Sequence, residues 1–427
     1  MISTPDLASP RFKANPFPFY AGLRALSPVA HVTYCDGKPA WLLSRHADVA
    51  AALKDPRLGK DPYRVLSREE RAAQVPWMPW FLRPLTQNML DQDPPSHTRL
   101  RGLVQQAFTP QRIEDLRPRV EARCAELLAA ARRRGAMDVV EDFALPVPLW
   151  VICELLGVPE ADRRRFRAWT SRLTAIVGTR DMVLALPHLW ALMRYVRSLA
   201  KQRRGAHGDD LITALLGAEE AGARLSEDEL LAMIFLLLVA GHETTVNLIA
   251  NGTLALLDHP EALERLRAEP ALIKPAVEEL LRFTSPVDTA TERYTTEEYA
   301  VSGHVIPRGQ RVLALLASAN HDERVFAEPE QLKLDREPNR HLALGVGIHY
   351  CLGAPLARLE AQAAFSALVR ELPDLRLAAP REAVRWKRST ILRSLEALPV
   401  EIPRASSGAS RAARAAGSAA QPAPPAL

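Results

Sequence analysis

The sequence contains few cysteines, and no two of them lie close together. Four are scattered over 427 residues, at Cys35, Cys124, Cys153 and Cys351. A disulfide framework and a structural zinc site both require cysteines in pairs or clusters, so this scatter argues against both. We therefore expect a reducing compartment, the cytoplasm.

Long apolar runs are also missing. The longest, Leu230 to Gly241, has twelve residues, whereas a membrane-spanning helix needs about 20. The N-terminus has no basic segment followed by an apolar core, as a signal peptide would have. We expect no membrane association.

The chain carries little excess charge of either sign. Its formal net charge is +5, and Arg404, Arg411 and Arg414 contribute to it within a tail that has no acidic residue. Such a balance provides no basic surface of the kind that binds nucleic acid. The tail, residues 404–427, is rich in Ala, Ser, Gly and Pro, so it is predicted to be disordered.

Helical periodicity dominates the rest of the sequence. Apolar residues recur with helical spacing in segments 111–134, 141–156, 160–174, 181–204 and 209–216. Alternating stretches flank the turn signals Asp36-Gly37 and Ser302-Gly303, which predicts two β-hairpins. We expect a mainly α protein with small β-sheets, in which residues 15–403 form a single domain and residues 1–14 a flexible N-terminal arm.

One long helix is predicted to cross the interior. Ser226 and Glu229 have the spacing of a capping box, and the helical pattern that follows covers about 30 residues, or ~45 Å. Glu243 and Thr244 lie in its apolar middle, where polar groups cost free energy unless they have a partner or a function. The Thr244 hydroxyl can donate to the Ala240 carbonyl and bend the helix locally.

Cys351 lies in a glycine-rich loop that leads into a helix. Gly345, Gly347 and Gly353 allow sharp turns, and Pro355 suits the first turn of the helix that follows. The positive end of that helix dipole would favour a thiolate. Taken alone, Cys351 would more often be an inert packing residue than a functional one, since free cysteines are often buried.

Two pairs of residues have the spacing of neighbours on one helix face. His97 and Arg101 are four apart and can reach one anion, although a solvated helix face gives the same pattern. Glu279 and Arg282 are three apart and can form a charge-assisted pair. We expect the second pair to be structural.

The segment Gly-x-Gly-x-His-x-Cys-x-Gly at 345–353 closely resembles the haem-ligating loop of the cytochromes P-450. The pairs His97/Arg101, Glu243/Thr244 and Glu279/Arg282 precede this segment in the order found in that family. The resemblance implies a single-domain cytochrome P-450 fold, with haem b between the long central helix and the cysteine-loop helix, and Cys351 as the iron ligand. One departure is Leu344, where the family has phenylalanine, so the usual aromatic shield of the sulfur is missing.

The resemblance also implies the roles of other residues around the haem. His97, Arg101 and Arg293 match positions that bind the haem propionates. Gly345, His349 and Gly353 belong to the cofactor-binding loop that carries Cys351.

Two groups of residues are implied on the face of the haem opposite to Cys351. Glu243 and Thr244 match the acid and alcohol that deliver protons to bound dioxygen. The implied substrate pocket has walls of apolar side chains and loop residues, which indicates a lipophilic substrate. Its predicted members are Leu237, Ala240, Gly241, Val287, Thr289, Ala290 and Ile391.

The function expected from the resemblance is monooxygenation. One oxygen atom of O2 would enter a C–H bond of a lipophilic small molecule of secondary metabolism, by hydroxylation or epoxidation. The chain has no flavin domain and no ferredoxin cysteine cluster, so the electrons would come from a separate ferredoxin or flavodoxin with its reductase. A monomer is expected. Two alternatives remain, a peroxide-driven haem-thiolate peroxygenase and a non-catalytic haem-binding protein.

Overall fold

The structure is a computed structural model that describes residues 4–75, 80–174, 179–204, 208, 210–218 and 224–403. The predicted disordered tail, residues 404–427, lies outside these ranges. The α-helices are α1 Pro10–Ala14, α2 Phe17–Leu26, α3 His46–Ala52, α4 Pro62–Val65, α5 Arg68–Gln74, α6 Ser96–Ala107, α7 Pro110–Glu114, α8 Arg117–Arg134, α9 Pro146–Leu155, α10 Glu160–Thr174, α11 Thr179–Arg203, α12 Leu211–Gly217, α13 Glu227–Asp258, α14 Pro260–Ala268, α15 Ile273–Thr284, α16 Leu316–Ala319 and α17 Ala354–Glu371. The mainly α prediction is confirmed.

The β-strands are short and form three small sheets. They are β1 Val29–Thr33, β2 Pro39–Leu43, β3 Leu58–Gly59, β4 Ala136–Asp138, β5 Arg293–Thr295, β6 Tyr299–Val301, β7 His304–Ile306, β8 Arg311–Ala314, β9 Arg376–Leu377 and β10 Pro399–Glu401. The largest sheet has the order β1-β2-β8-β5-β3, and the others are β4-β10-β9 and β6-β7. Both predicted hairpins form, and the second turns at Ser302 and Gly303, whose φ angles are 44° and 77°.

The long helix α13 forms as predicted. Ser226 caps it, and both hydrogen bonds of the capping box with Glu229 are present. Of the helices in the described ranges, α13 is the one long and apolar enough to cross a membrane by length and composition, and 56% of its apolar window is buried inside the protein. A central core helix meets the same criterion.

Helix α13 packs closely against α17, the helix that follows the cysteine loop. A β-carbon at Gly252 would lie 2.4 Å from Cζ of Phe365, so glycine is needed for the two helices to approach this closely. This contact fixes the spacing between α13 and α17, and the candidate active site described below lies between these two helices.

The predicted pair of Glu279 and Arg282 is completely buried and makes two hydrogen bonds, of 2.7 and 2.8 Å. Arg282 also donates to the Asn320 carbonyl at 3.0 Å, and Arg336 donates to Glu279 at 3.0 and 3.1 Å. The Asn320 side chain accepts from the Leu342 amide at 2.7 Å. The pair therefore holds the irregular segment between α16 and the cysteine loop. Its role is structural.

The N-terminal segment differs from the predicted flexible arm. Residues 4–14 include α1, and Lys13 is 1% exposed, where it forms a 2.5 Å ion pair with Asp288. The Tyr20 hydroxyl donates to the same carboxylate at 2.8 Å. This buried, paired charge anchors α1 beneath residues 287–290, one wall of the site.

Candidate active site

A large cavity lies between α13 and α17, where the haem was expected. It encloses about 1610 Å³ of empty space, part of it open to solvent. Its walls come from α6, α13, α17, the segment 286–293 and the loop 343–353. The cavity therefore brings together residues that are far apart in the sequence, among them His97, Arg101, Thr244, Arg293 and Cys351.

The glycine-rich loop carries Cys351 to the wall of this cavity. Gly345 and Gly347 have φ angles of 69° and 81°, and a β-carbon at Gly347 would lie 2.8 Å from the Leu53 carbonyl oxygen. The Cys351 amide donates to the Leu344 carbonyl at 2.9 Å, which closes the loop. Glycine is required at 347 both for its backbone conformation and for this close approach.

The surroundings of Cys351 act on its thiol in opposite directions. Burial raises the pKa of the Cys351 thiol, whereas a backbone hydrogen bond from Gly353 and the positive charges of Arg101 and Arg358 lower it. Gly353 is the N-cap residue of α17, but burial outweighs these contributions and the net shift of the Cys351 pKa is upward. Leu344 packs against the main apolar core and also lines the cavity.

One end of the cavity is cationic, because two arginines lie there beside two histidines whose pKa values burial lowers. His97, Arg101, Arg293 and His349 all line it, and the rings of His97 and His349 are 4.4 Å apart. Arg101 donates to the Tyr350 carbonyl at 2.9 Å, and Arg293 donates weakly to two backbone carbonyls at 3.3 and 3.4 Å. Arg293 Nε and His349 Nε2 are buried without a partner.

These cationic groups need an anion. Burial lowers the pKa of Arg293 to about 10, because no solvent stabilises its charge. Buried cations and unpartnered nitrogens are stabilised when a carboxylate binds them. A cavity between two helices, with one thiol in its wall and an anion-binding end, fits a haem; Cys351 would bind its iron and the cationic end its propionates.

The middle of α13 faces the cavity with Ala240, Gly241 and Thr244. The Thr244 hydroxyl donates to the Ala240 carbonyl at 2.9 Å, as the sequence predicts. Glu243 does not line the cavity, because the lining positions of α13 (236, 237, 240, 241, 244, 245 and 248) follow one helix face and position 243 lies beside that face. Burial raises the pKa of the Glu243 carboxyl to about 7, and the positive charge of Lys387 opposes the shift.

One carboxyl group in the cavity wall is not predicted from the sequence. Glu360 of α17 is 2% exposed, lines the cavity and has one carboxyl oxygen, Oε2, without a partner. Burial raises its pKa to about 8, and a hydrogen bond with Thr245 opposes the shift. A signal was present, because Leu356 and Ala364, four residues before and after it, are apolar and place Glu360 on the buried face.

The predicted substrate pocket is matched in part. Leu237, Val287 and Ala290 line the cavity together with Ala240 and Gly241. Thr289 and Ile391 do not line it. The wall is an irregular segment with isolated β-bridges, and its amide groups at 288 and 289 both donate to the Ile391 carbonyl, at 2.8 and 3.3 Å. Side chains of this segment therefore do not alternate between the cavity and the opposite side, as they would in a regular strand.

Further apolar side chains also line the cavity. They belong to the loop before α6 and to α13, and they extend the apolar wall. They are Met89, Leu90, Leu236 and Leu248.

Comparison with known proteins identifies the family. A family model described as cytochrome P-450 matches residues 191–373. The chain is 46% identical over 382 residues to cytochrome P-450 107B1 of Saccharopolyspora erythraea, which covers 89% of this chain and 93% of that protein. It is 42% identical over 402 residues to PksS, a polyketide biosynthesis cytochrome P-450 of Bacillus subtilis, with coverage of 92% and 97%.

The fold agrees with these relatives. The solved structure of PksS matches with a TM-score of 0.87 and 40% identity, and the match covers 95% of this chain and 100% of that one. The predicted fold, with a haem cavity between α13 and α17, is therefore confirmed. The chain belongs to the cytochrome P-450 family of haem-dependent monooxygenases.

Proposed function

We propose that this protein is a monooxygenase that inserts one oxygen atom from O2 into a C–H bond of a lipophilic small molecule of secondary metabolism, by hydroxylation or epoxidation. The observation that carries the proposal is the composition of the cavity. Cys351 and Thr244 line the same space, and apart from the cationic end, Cys351 and Glu360 its described lining residues are uncharged. Such a wall excludes water from an apolar substrate.

Bound haem b would supply the oxidising chemistry, since a cysteinate ligand donates electron density to iron and favours O–O cleavage. Cys351 would provide that ligand. His97, Arg101, Arg293 and His349 would hold the propionates by charge-assisted hydrogen bonds, which orient the ring plane in the cavity.

Protons would reach the cavity through side chains of α13 and α17. The Thr244 hydroxyl would donate its proton into the cavity from Oγ1 once its hydrogen bond to the Ala240 carbonyl breaks. Glu360 holds a proton below about pH 8 and is hydrogen-bonded to Thr245, the neighbour of Thr244. Glu243, with a pKa of about 7, lies outside the cavity and would exchange protons with the surface on the Lys387 side.

The substrate class follows from the apolar wall and from the relatives. PksS is named for polyketide biosynthesis, and we infer a substrate of similar apolar character. The pocket wall near Val287 and Ala290 is supported from below by the ion pair of Lys13 and Asp288. This support would hold the substrate over one position of the haem.

Electrons would come from a ferredoxin or flavodoxin with its reductase. In the part of the chain that the structure describes, no group of three or more His, Cys, Asp or Glu residues is arranged to hold a metal ion, which is consistent with an external donor. Arg358, on the cysteine side, is neutralised by Glu278 through bonds of 2.7 and 2.8 Å. Docking of the electron donor on the cysteine side would therefore depend on basic side chains other than Arg358. We further propose a cytoplasmic monomer.

A reconstitution experiment tests this function. Purified protein, reduced nicotinamide, a ferredoxin and its reductase are incubated with a panel of lipophilic secondary metabolites under isotopically labelled O2. Incorporation of one labelled oxygen atom into a product supports the proposal. Turnover with hydrogen peroxide but not with the redox partners would favour the peroxygenase alternative. Substrate-induced spin-state shifts without any product would favour a binding protein.

A further inference from the structure

Lys60 is a buried lysine that forms no ion pair with any residue that the structure describes. It follows β3 directly and is 5% exposed. Its ammonium group donates to the Thr291 hydroxyl at 2.5 Å and to the Glu292 carbonyl at 3.1 Å, and both acceptors are uncharged. Burial lowers the pKa of Lys60 to about 8 and the like charge of Arg293 adds to this effect, whereas the carboxylates of Asp91, Glu292 and Asp93 oppose it. These carboxylates offset part of the cost of burying the cation, and a further anion in the cavity would offset more of it.

Thr291 connects this lysine to the cationic end of the cavity. It lines the cavity together with Arg293 and His349. Because its Oγ1 accepts the bond from Lys60, its own hydroxyl proton is available for another acceptor.

The position of Lys60 is fixed relative to the other cationic residues. Its backbone amide donates to both carboxylate oxygens of Asp93, each at 2.9 Å, and the Asp61 amide donates to the same carboxylate at 2.9 Å. The Asp93 carbonyl in turn accepts from the His97 amide at 3.0 Å, at the start of α6. Asp93 thus joins the loop that carries Lys60 to the helix that carries His97 and Arg101.

We propose that Thr291 and Lys60 form an additional contact for a haem propionate. Thr291 Oγ1 donates to the carboxylate, and Lys60 supplies the compensating positive charge from behind the threonine. Thr291 is the binding residue, and Lys60 is a positioning residue that acts through it. The inference rests on the haem binding described above and adds two residues to it.

Three variants test the arrangement in the haem-loaded enzyme. Lys60→Met removes the charge, Lys60→Arg keeps it, and Thr291→Val removes the hydroxyl with little change of shape. Lys201→Met is the matched control, because Lys201 is exposed on α11. For each protein, the rate of haem transfer to excess apomyoglobin and the reduction potential without substrate are measured.

The expected results separate a charge role from a structural one. Lys60→Met and Thr291→Val should each speed haem loss about tenfold, the scale of one hydrogen bond to a charged group. The double variant should be within about twofold of the faster single variant, because the two residues act as one unit. Lys60→Met should lower the reduction potential, because loss of a nearby positive charge disfavours the added electron. Lys60→Arg and Lys201→Met should keep the wild-type potential.

Several outcomes would overturn the inference. One is a Lys60→Met variant with unchanged haem loss and potential, and another is faster haem loss with an unchanged potential, which would indicate a purely structural lysine. Unchanged haem loss in Thr291→Val would exclude the hydroxyl contact. The reduced carbon monoxide complex of each variant should keep the red-shifted Soret band of wild type, so failure of this inference is distinguishable from failure of thiolate ligation itself.

Discussion

Replacing Glu360 by glutamine should change how the stability of the protein depends on pH. The carboxyl group of Glu360 is completely buried in the cavity wall, and burial raises its pKa from 4.5 to about 8. Glutamine has nearly the same shape and cannot lose a proton in this range. The comparison therefore isolates the cost of ionising one buried carboxyl group.

The sign of the effect follows from proton binding. Between pH 4.5 and about pH 8, the unfolded chain has released the Glu360 proton while the folded protein still holds it. The free energy of unfolding of wild type therefore falls as pH rises through this window and levels off above it. At about 1.36 kcal/mol per pH unit, the full window corresponds to roughly 4–5 kcal/mol as an upper limit, since water entering the cavity would reduce it.

The assay is denaturant unfolding of wild type and Glu360→Gln at several pH values from 5 to about 9. The difference between the two proteins cancels the contributions of all other titrating groups. We expect the variant to gain stability over wild type progressively as pH rises, by at least about 2 kcal/mol across the window. A difference that does not vary with pH would refute the assignment of a raised pKa to Glu360.

Four further changes are predicted to have specific effects. Thr244→Ala should uncouple oxygen consumption from product formation, measured as hydrogen peroxide released per substrate oxidised, whereas Thr253→Ala, elsewhere on α13, should not. Leu344→Phe should lower the reduction potential, because an aromatic ring keeps water from the sulfur and a less polar setting disfavours added negative charge; an unchanged potential would contradict this. Gly252→Val should lower the melting temperature sharply, because its β-carbon would overlap the Phe365 ring at 2.4 Å. Glu279→Gln should cost about 3–5 kcal/mol of stability, measured by urea unfolding, because it leaves a buried arginine without its full charge partner.

The parts of the fold that the sequence predicts well are specified by local signals. The start of α13 was predicted from Ser226 and Glu229, whose side chains bond to backbone groups three residues away. The turn at Ser302 and Gly303 was predicted in the same way, since the backbone there requires positive φ angles. Such features depend on neighbours in the sequence and not on the rest of the fold.

The features that the sequence did not predict depend on contacts between distant segments. Lys13 belongs to a proline-rich stretch that was interpreted as a flexible arm, and its partner Asp288 is 275 residues away. The burial of Glu360 and Lys60 likewise results from packing of separate elements around the cavity. Glu243 shows a different limit, because the motif places it beside Thr244 in sequence while the helix turns it away from the cavity.

The absorption spectrum of the reduced carbon monoxide complex tests the central claim most directly. Wild type and Cys351→Ser are compared with Cys153→Ser, a buried cysteine outside the cavity wall. Thiolate ligation by Cys351 predicts a red-shifted Soret band in wild type and in Cys153→Ser, and its loss in Cys351→Ser. A band that persists in Cys351→Ser, or a wild-type protein that folds without binding haem, would contradict it.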